Sequence, residues 1–203
     1  MPEDRSLEEL WAGEFGDSYT VRNAAAAAGR GRFWRSVLTD LEVDSVLEVG
    51  CNAGPNLGWI GELLPGARIA GVDVNDAALR ELRAALPEVE AVRAPATELP
   101  FRDREFDLVF TTGVLIHMSD EALPVVMGEI VRCSRRYVLC GEYHADTTVE
   151  VPYRGQPGAL FKRDFGGLYR ERFPELRQLG EGFLSREDGR WDDVTWWLFE
   201  RTT

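Results

Sequence analysis

Gly50 and Gly54 bracket a five-residue turn, Gly50-Cys51-Asn52-Ala53-Gly54, and Asp73 follows nineteen residues later. Glycine lets a backbone come close to a ligand and take positive φ. A carboxylate at the end of a following strand can accept both hydrogen bonds of a ribose diol. Two ligand classes share this arrangement. A dinucleotide needs three glycines so that its pyrophosphate rests on a helix N-terminus. Here that pattern is incomplete, because Gly54 is followed by Pro55 and Asn56. S-adenosylmethionine carries a sulfonium cation and no phosphate. It tolerates a bulkier turn and favours a nearby carboxylate, such as Glu48. The residues therefore lean toward S-adenosylmethionine, with S-adenosylhomocysteine as product, and keep a nicotinamide-dependent oxidoreductase as the weaker alternative.

The elements that must hold these residues alternate along the chain. Val43 to Val49 is an apolar, β-branched run that reads as a buried strand ahead of the turn. Asn56 to Leu64 has helical spacing and is stopped by Pro65-Gly66. Arg68 to Asp73, Val89 to Arg93, Phe106 to Thr112 and Arg136 to Glu142 read as further strands. Asp76 and Asp120 are expected to cap the helices between them. Such alternation implies a parallel sheet with helices on both faces. Leu176 to Ser185 and Val194 to Arg201 read as a closing antiparallel hairpin, with Glu187-Asp188-Gly189-Arg190 as its turn. The Ala24 to Ala28 run reads as helix.

The expected fold is α/β: a single-domain, Rossmann-like, seven-stranded sheet, mostly parallel, with a C-terminal antiparallel hairpin. Residues 1–40 form a helical lid, 43–142 the cofactor-binding core, 143–175 a substrate-loop insertion that the core does not need, and 176–203 the hairpin.

Bulk properties narrow the partners. The chain has 203 residues, a formal net charge of -12 and a sequence pI near 4.7. That field disfavours nucleic acid and anionic membranes and leaves a small-molecule substrate. Cys51, Cys133 and Cys140 match no zinc spacing, and no cluster suggests a metal. The N-terminus lacks a basic flank and an apolar run, so a cytoplasmic location is expected.

In an open α/β sheet the ligand lies beyond the carboxyl ends of the strands. His117 follows the fourth strand, and Glu142, Tyr143 and His144 end the fifth. His117, His144 and Glu142 are the candidate general bases, against the blander reading of packed or solvated side chains. Tyr19, Arg22 and Asn23 are candidate substrate contacts from the lid, Arg22 by pairing with a carboxylate. Tyr143 and the basic cluster Arg154, Lys162 and Arg163 are candidates from the insertion, the cluster as an anion-binding loop.

The run Val46 to Gly54 resembles motif I of class I methyltransferases. Gly71-Val72-Asp73-Val74-Asn75 resembles their acidic motif, and Ala96-Thr97-Glu98-Leu99-Pro100-Phe101 the loop that receives adenine. Phe106 to Phe110 and Val114 to His117 resemble their fourth strand and the turn after it. The resemblance implies a cofactor set of Glu48, Gly50, Asn52, Gly54, Asn56, Asp73, Val74, Ala96, Thr97, Thr112 and Gly113. It also implies O- or N-methylation of a small molecule such as a sugar, nucleotide sugar or secondary metabolite. A protein methyltransferase, or a cofactor-binding module without catalysis, has the same signature. More narrowly, Trp11 to Asp17, Arg22-Asn23, Cys51 to Leu57, Gly141 to His144, Tyr153-Arg154-Gly155 and Trp191-Asp192-Asp193 are similar to the methylases associated with pseudaminic-acid biosynthesis. Two departures from the broad class stand out. Asn52 replaces the middle glycine, and Pro95 replaces an aspartate that accepts from the adenine amino group.

Overall fold

The computed structural model describes residues 3–23, 30–188 and 191–202, without the side chains of residues 3–6, Asn23 and Asp188. The expected helix at Ala24 to Ala28 and the Gly189-Arg190 half of the hairpin turn lie outside the described residues.

Three helices precede the sheet: α1 (Glu3–Ala12), α2 (Glu14–Asn23) and α3 (Gly31–Leu38). Then β1 (Ser45–Val49), α4 (Pro55–Leu63), β2 (Arg68–Asp73), α5 (Asp76–Ala85), β3 (Glu90–Arg93) and β4 (Phe106–Thr112) alternate as expected. A 3-10 turn, Leu115–His117, leads to α6 (Ala122–Cys133) and β5 (Ser134–Glu142). Two short strands follow, β6 (Val149–Glu150) and β7 (Phe161–Lys162), then α7 (Phe165–Arg172), β8 (Leu176–Leu184) and β9 (Val194–Arg201).

The sheet has seven strands in the order β3-β2-β1-β4-β5-β9-β8. The first five pair in parallel, whereas β9 is antiparallel to both β5 and β8. Strand order reverses between β1 and β4, so a crevice opens beyond their carboxyl ends. All five residues of β1 are buried, because helices cover both faces. Trp34, Leu57, Ile60, Leu79 and Leu82 pack α3, α4 and α5 on one face, around Leu108 and Phe110. Val126, Ile130, Phe165 and Tyr169 pack α6 and α7 on the other, around Val109 and Val138. No described helix is long and apolar enough to cross a membrane.

Three expectations need correction. Asn75, not Asp76, caps α5, its side chain accepting from the Ala78 N–H. Asp120 does not cap α6. The Ser119 hydroxyl accepts the Ala122 N–H at 3.1 Å, while Asp120 pairs with Arg163 at 2.8 Å. The 143–175 segment is not dispensable to the core, because Phe165 and Tyr169 of α7 are fully buried in it. Its first half is a small antiparallel β6–β7 pair beside the sheet.

Candidate cofactor and acceptor cavity

The turn after β1 takes the shape its residue types allow. Gly50, Asn52 and Gly54 lie at φ 74°, 49° and 77°. Asparagine is among the few side chains that accept this region readily. At Gly50 the need for glycine is also steric, since an added Cβ would sit 2.4 Å from Val114 Cγ2. The Gly50 and Cys51 N–H groups both donate to the Val72 carbonyl, at 2.8 and 2.9 Å, which pins the turn to β2.

Asp73 ends β2 opposite that turn. Its Oδ2 accepts from the Asn52 N–H at 2.8 Å, and its Oδ1 from the Asn75 N–H at 2.9 Å. Burial raises the Asp73 carboxyl above its ordinary pKa, and these N–H groups oppose that shift. A carboxylate offers about four lone-pair sites, so capacity remains for a diol.

Glu48 lies one residue before the end of β1 and is buried. Its Oε1 accepts from Asn56 Nδ2 at 2.6 Å, while Oε2 is buried with no partner among the described residues. Burial pushes its pKa up to about 8. Asn56 is committed on all sides. Nδ2 also donates to Thr112 Oγ1 at 3.0 Å, and Oδ1 accepts from Arg30 Nη1 at 3.0 Å and Trp34 Nε1 at 3.2 Å. It positions β1, β4 and α3 around the site and has no amide group left for a ligand.

A cavity of about 740 Å³ opens between these residues and the N-terminal helices. Glu48, Gly50, Asn52, Asn56, Asp73, Val74, Ala96, Thr97, Thr112 and Gly113 line it, as does Pro95. Gly54 does not, and instead begins α4 ahead of Pro55. No group of three or more His, Cys, Asp or Glu among the described residues is placed to hold a metal ion.

The other wall comes from the chain's two ends. Trp11, Tyr19 and Thr20 approach from α1 and α2, and Arg186, Trp191 and Asp192 from the β8–β9 connection. The Thr20 hydroxyl donates to Asn52 Oδ1 at 2.7 Å. Burial pushes the Tyr19 phenol up to about 12. His117 is buried against Trp11, with ring centroids 4.4 Å apart, and near Tyr153 at 5.4 Å. Its Nδ1 meets the Ala159 carbonyl. That bond requires Nδ1–H and leaves Nε2 as the proton-accepting nitrogen. Burial lowers the His117 pKa to about 4, so the ring is neutral.

The remaining sequence candidates stand elsewhere. Glu142 is buried beneath the 3-10 turn, accepting from the Val114 and Ile116 N–H groups at 3.2 and 3.3 Å, and its pKa is raised by burial to about 7. It holds the turn that carries His117 and is not among the cavity's lining residues. His144 is exposed beside Asp146 at 3.2 Å. Tyr143 is half-buried outside the cavity, with the Lys162 ammonium 5.9 Å from its ring. Arg22 is exposed, 6.0 Å from the Tyr19 ring, and the Asn23 side chain lies outside the described residues. Arg154, Lys162 and Arg163 do not assemble into an anion loop. Arg154 is exposed, whereas Arg163 is buried on Asp120 and the Met118 carbonyl. Sequence reasoning missed Arg30, which lines the cavity but carries no periodicity or motif.

Residues 46–136 match a family model described as a methyltransferase domain. Among curated relatives, the trans-aconitate 2-methyltransferase of Azoarcus is 33% identical over 110 residues, covering 51% of this chain and 41% of that protein. The chain spans about a quarter to a half of the length of the curated relatives it matches. Among solved structures, the 1,6-didemethyltoxoflavin-N1-methyltransferase of Burkholderia thailandensis, with bound 1,6-didemethyltoxoflavin and S-adenosylhomocysteine, superposes with a TM-score of 0.74. It is 16% identical, with 97% of this chain and 88% of that one covered. A complex of the Haloferax volcanii Trm112 methyltransferase activator with a methyltransferase gives a TM-score of 0.73 at 15% identity, covering 92% of this chain and 96% of that one. At such identities the likeness shows the fold alone. The methyltransferase-domain match is confined to residues 46–136, and the solved structures share the fold over nearly the whole chain.

Proposed function

We propose that this protein transfers a methyl group from S-adenosylmethionine to oxygen or nitrogen of a small-molecule acceptor. The observation that carries the reading is Asp73, held by the Asn52 and Asn75 N–H groups at the end of β2 and facing a cavity bounded by the Gly50 to Gly54 turn. The orphaned, buried Glu48 Oε2 also fits a ligand with a positive group. When bound, the cofactor supplies an electrophilic methyl on a good leaving group, so the enzyme mainly aligns and desolvates.

In this reading Asp73 binds the ribose diol. Ala96 and Thr97 border the adenine, and Thr112 and Gly113 close the floor. His117 is the proton acceptor, because it lines the cavity with its tautomer set by Ala159. Trp11 and Tyr19 exclude water from above. Enclosure by the N-terminal helices supports a small acceptor. The narrower likeness to pseudaminic-acid-associated methylases directs the first screen toward sugars and nucleotide sugars.

Calorimetry with S-adenosylhomocysteine tests the reading. The wild type is expected to bind, and a folded Asp73→Ala variant to bind much more weakly. No binding by the wild type, or equal binding by the variant, overturns it.

A further inference from the structure

The turn that carries His117 is held at its two ends by opposite charges. Glu142, at the end of β5, accepts the Val114 and Ile116 N–H groups and fixes where the turn begins. Arg163, the residue after β7, fixes where it ends. Its Nη1 donates to the Met118 carbonyl at 3.1 Å, and its Nη2 to Asp120 Oδ1 at 2.8 Å. The guanidinium lies 4.4 Å over the Phe161 ring.

Stability is a poor account of this arginine. Its side chain is 3% exposed, whereas that of Asp120 is 84% exposed. An ion pair with a solvated carboxylate contributes little, and taking a guanidinium out of water costs more than such a pair returns. Arg163 Nε is also buried with no partner among the described residues. An apolar side chain of similar length would fill the space without that cost. What it would not do is hold the carbonyl of the residue that follows His117.

The rest of the same hairpin acts on the imidazole. Strands β6 and β7 pair Val149 with Lys162 and Glu150 with Phe161, and the Val151 N–H donates to the Leu160 carbonyl at 2.8 Å. This ladder sets the Ala159 carbonyl against His117 Nδ1. Beside it, the Gly158 N–H donates to Glu150 Oε1 at 2.6 Å, and the Tyr153 ring lies 5.4 Å from the imidazole. One two-stranded unit thus supplies an acceptor to the ring, and Arg163 just beyond it a donor to the neighbouring backbone. Together they fix the ring's tautomer and its rotation.

We propose that the β6–β7 hairpin is the orienting element for His117, and that Arg163 is the positioning residue that locks the hairpin to the turn. The proposal rests on the methyltransferase reading and deepens it. It moves Arg163 from the expected anion-binding loop to the support of the proton acceptor.

The chain has two histidines, so nitrogen-15 magnetic resonance of the imidazoles reads His117 directly once His144→Asn has assigned the other ring. At pH 7 the wild type is expected to carry the His117 proton on Nδ1 alone. In Arg163→Met that fraction should fall to roughly half, since one hydrogen bond sets a preference of about five- to tenfold. Arg163→Lys keeps a cationic donor and should restore much of it. Affinity for S-adenosylhomocysteine, by titration calorimetry, should stay within about twofold in both variants, because Arg163 does not line the cavity. A ligand-free melt checks folding. An unchanged Nδ1–H fraction in folded Arg163→Met overturns the positioning role. Where that variant does not fold, Glu150→Ala replaces it, an exposed change that frees the Gly158 N–H, and an unchanged fraction there overturns the hairpin's role. A wild-type His117 protonated on Nε2 also overturns the proposal. Joint loss of the tautomer and of S-adenosylhomocysteine affinity in Arg163→Met overturns it too, since the whole site has then collapsed. A wild type that binds no S-adenosylhomocysteine overturns the methyltransferase reading itself, whatever the tautomer.

Discussion

The Asn75 side-chain amide donates to Asp17 Oδ1 at 2.9 Å and joins the start of α5 to α2 beside the cavity. The same amide donates to the Trp11 carbonyl at 3.1 Å, while Asn75 Oδ1 caps α5 through the Ala78 N–H at 2.8 Å. Asn75→Ala removes all three bonds and is expected to lower unfolding stability by about 1–3 kcal/mol. Asn75→Asp keeps the cap and loses the two donors, and sets a second carboxylate beside Asp17. It should hold α5 while residues 3–23 become easier to cleave. Urea denaturation and limited proteolysis of both variants separate the two effects. Equal N-terminal protection in wild type and Asn75→Asp would contradict the expectation.

Asn56 is a structural knot of the site, and Asn56→Leu should show it. The change leaves Glu48 Oε1 and the Trp34 indole N–H without their amide partner. A destabilisation of about 2–4 kcal/mol is expected, from two buried polar groups losing a bond each. Chemical denaturation measures it. A loss below about 0.5 kcal/mol would mean that water or rearrangement replaces the amide.

Glu48 gives a pH signature. Its folded pKa, pushed up to about 8, lies above the ordinary value of 4.5. The folded state therefore holds a proton that the unfolded chain releases. The resulting stability is complete below about pH 4.5 and is lost as pH rises through 8. Glu48→Gln should melt higher than wild type at pH 9, by roughly 3 °C or more, with little difference at pH 5. The same group should release a proton when an ammonium settles beside it. Wild-type affinity for S-adenosylhomocysteine should then rise with pH between 6 and 8, and the Glu48→Gln affinity should stay flat. Parallel pH profiles for the two proteins would count against both statements.

His117 works in the opposite direction. Its pKa falls from 6.5 to about 4 in the folded state, so the unfolded chain binds the extra proton between those values. The contribution is complete above pH 6.5 and fades as pH drops toward 4. His117→Gln should flatten the acid limb of the stability profile over that window. Histidine ring signals followed by nuclear magnetic resonance should show His117 untitrated above pH 5. With an acceptor in hand, His117→Ala should reduce kcat by roughly 100-fold or more. A His117 ring titrating near 6.5 would remove the buried, fixed tautomer on which its role depends.

Much of the fold was legible because burial leaves a period in the sequence. Arg68 to Asp73 and Phe106 to Thr112 read as strands over the residues that form them, since a strand covered on both faces needs an unbroken apolar run. The cap of α5 was misread by one residue, because Asn75 and Asp76 are adjacent and both suit an N-terminus. Helix α7 was hidden by Gly166 and Gly167, which depress helix propensity although Phe165 and Tyr169 bury the helix. The site divides the same way. Most of the candidate cofactor residues lie at or just after strand ends whose order the motifs reveal. Glu142 and His144 also follow a strand end, and nothing in sequence says that one turns inward to backbone N–H groups and the other out to solvent. Arg30 is placed by tertiary contacts alone, through Trp59, Asn56 and Trp191.

The cavity's two walls come from different parts of the chain. Glu48 to Thr112 supply one, and residues before 31 and after 185 supply much of the other. Exchange of the terminal segments would therefore alter the half of the cavity that the strand ends do not form. A chimera carrying foreign ends on this central segment would keep the strand-end wall and rebuild the opposite one. The molecule is in this sense modular within a single sheet, with a seam that runs through the pocket itself.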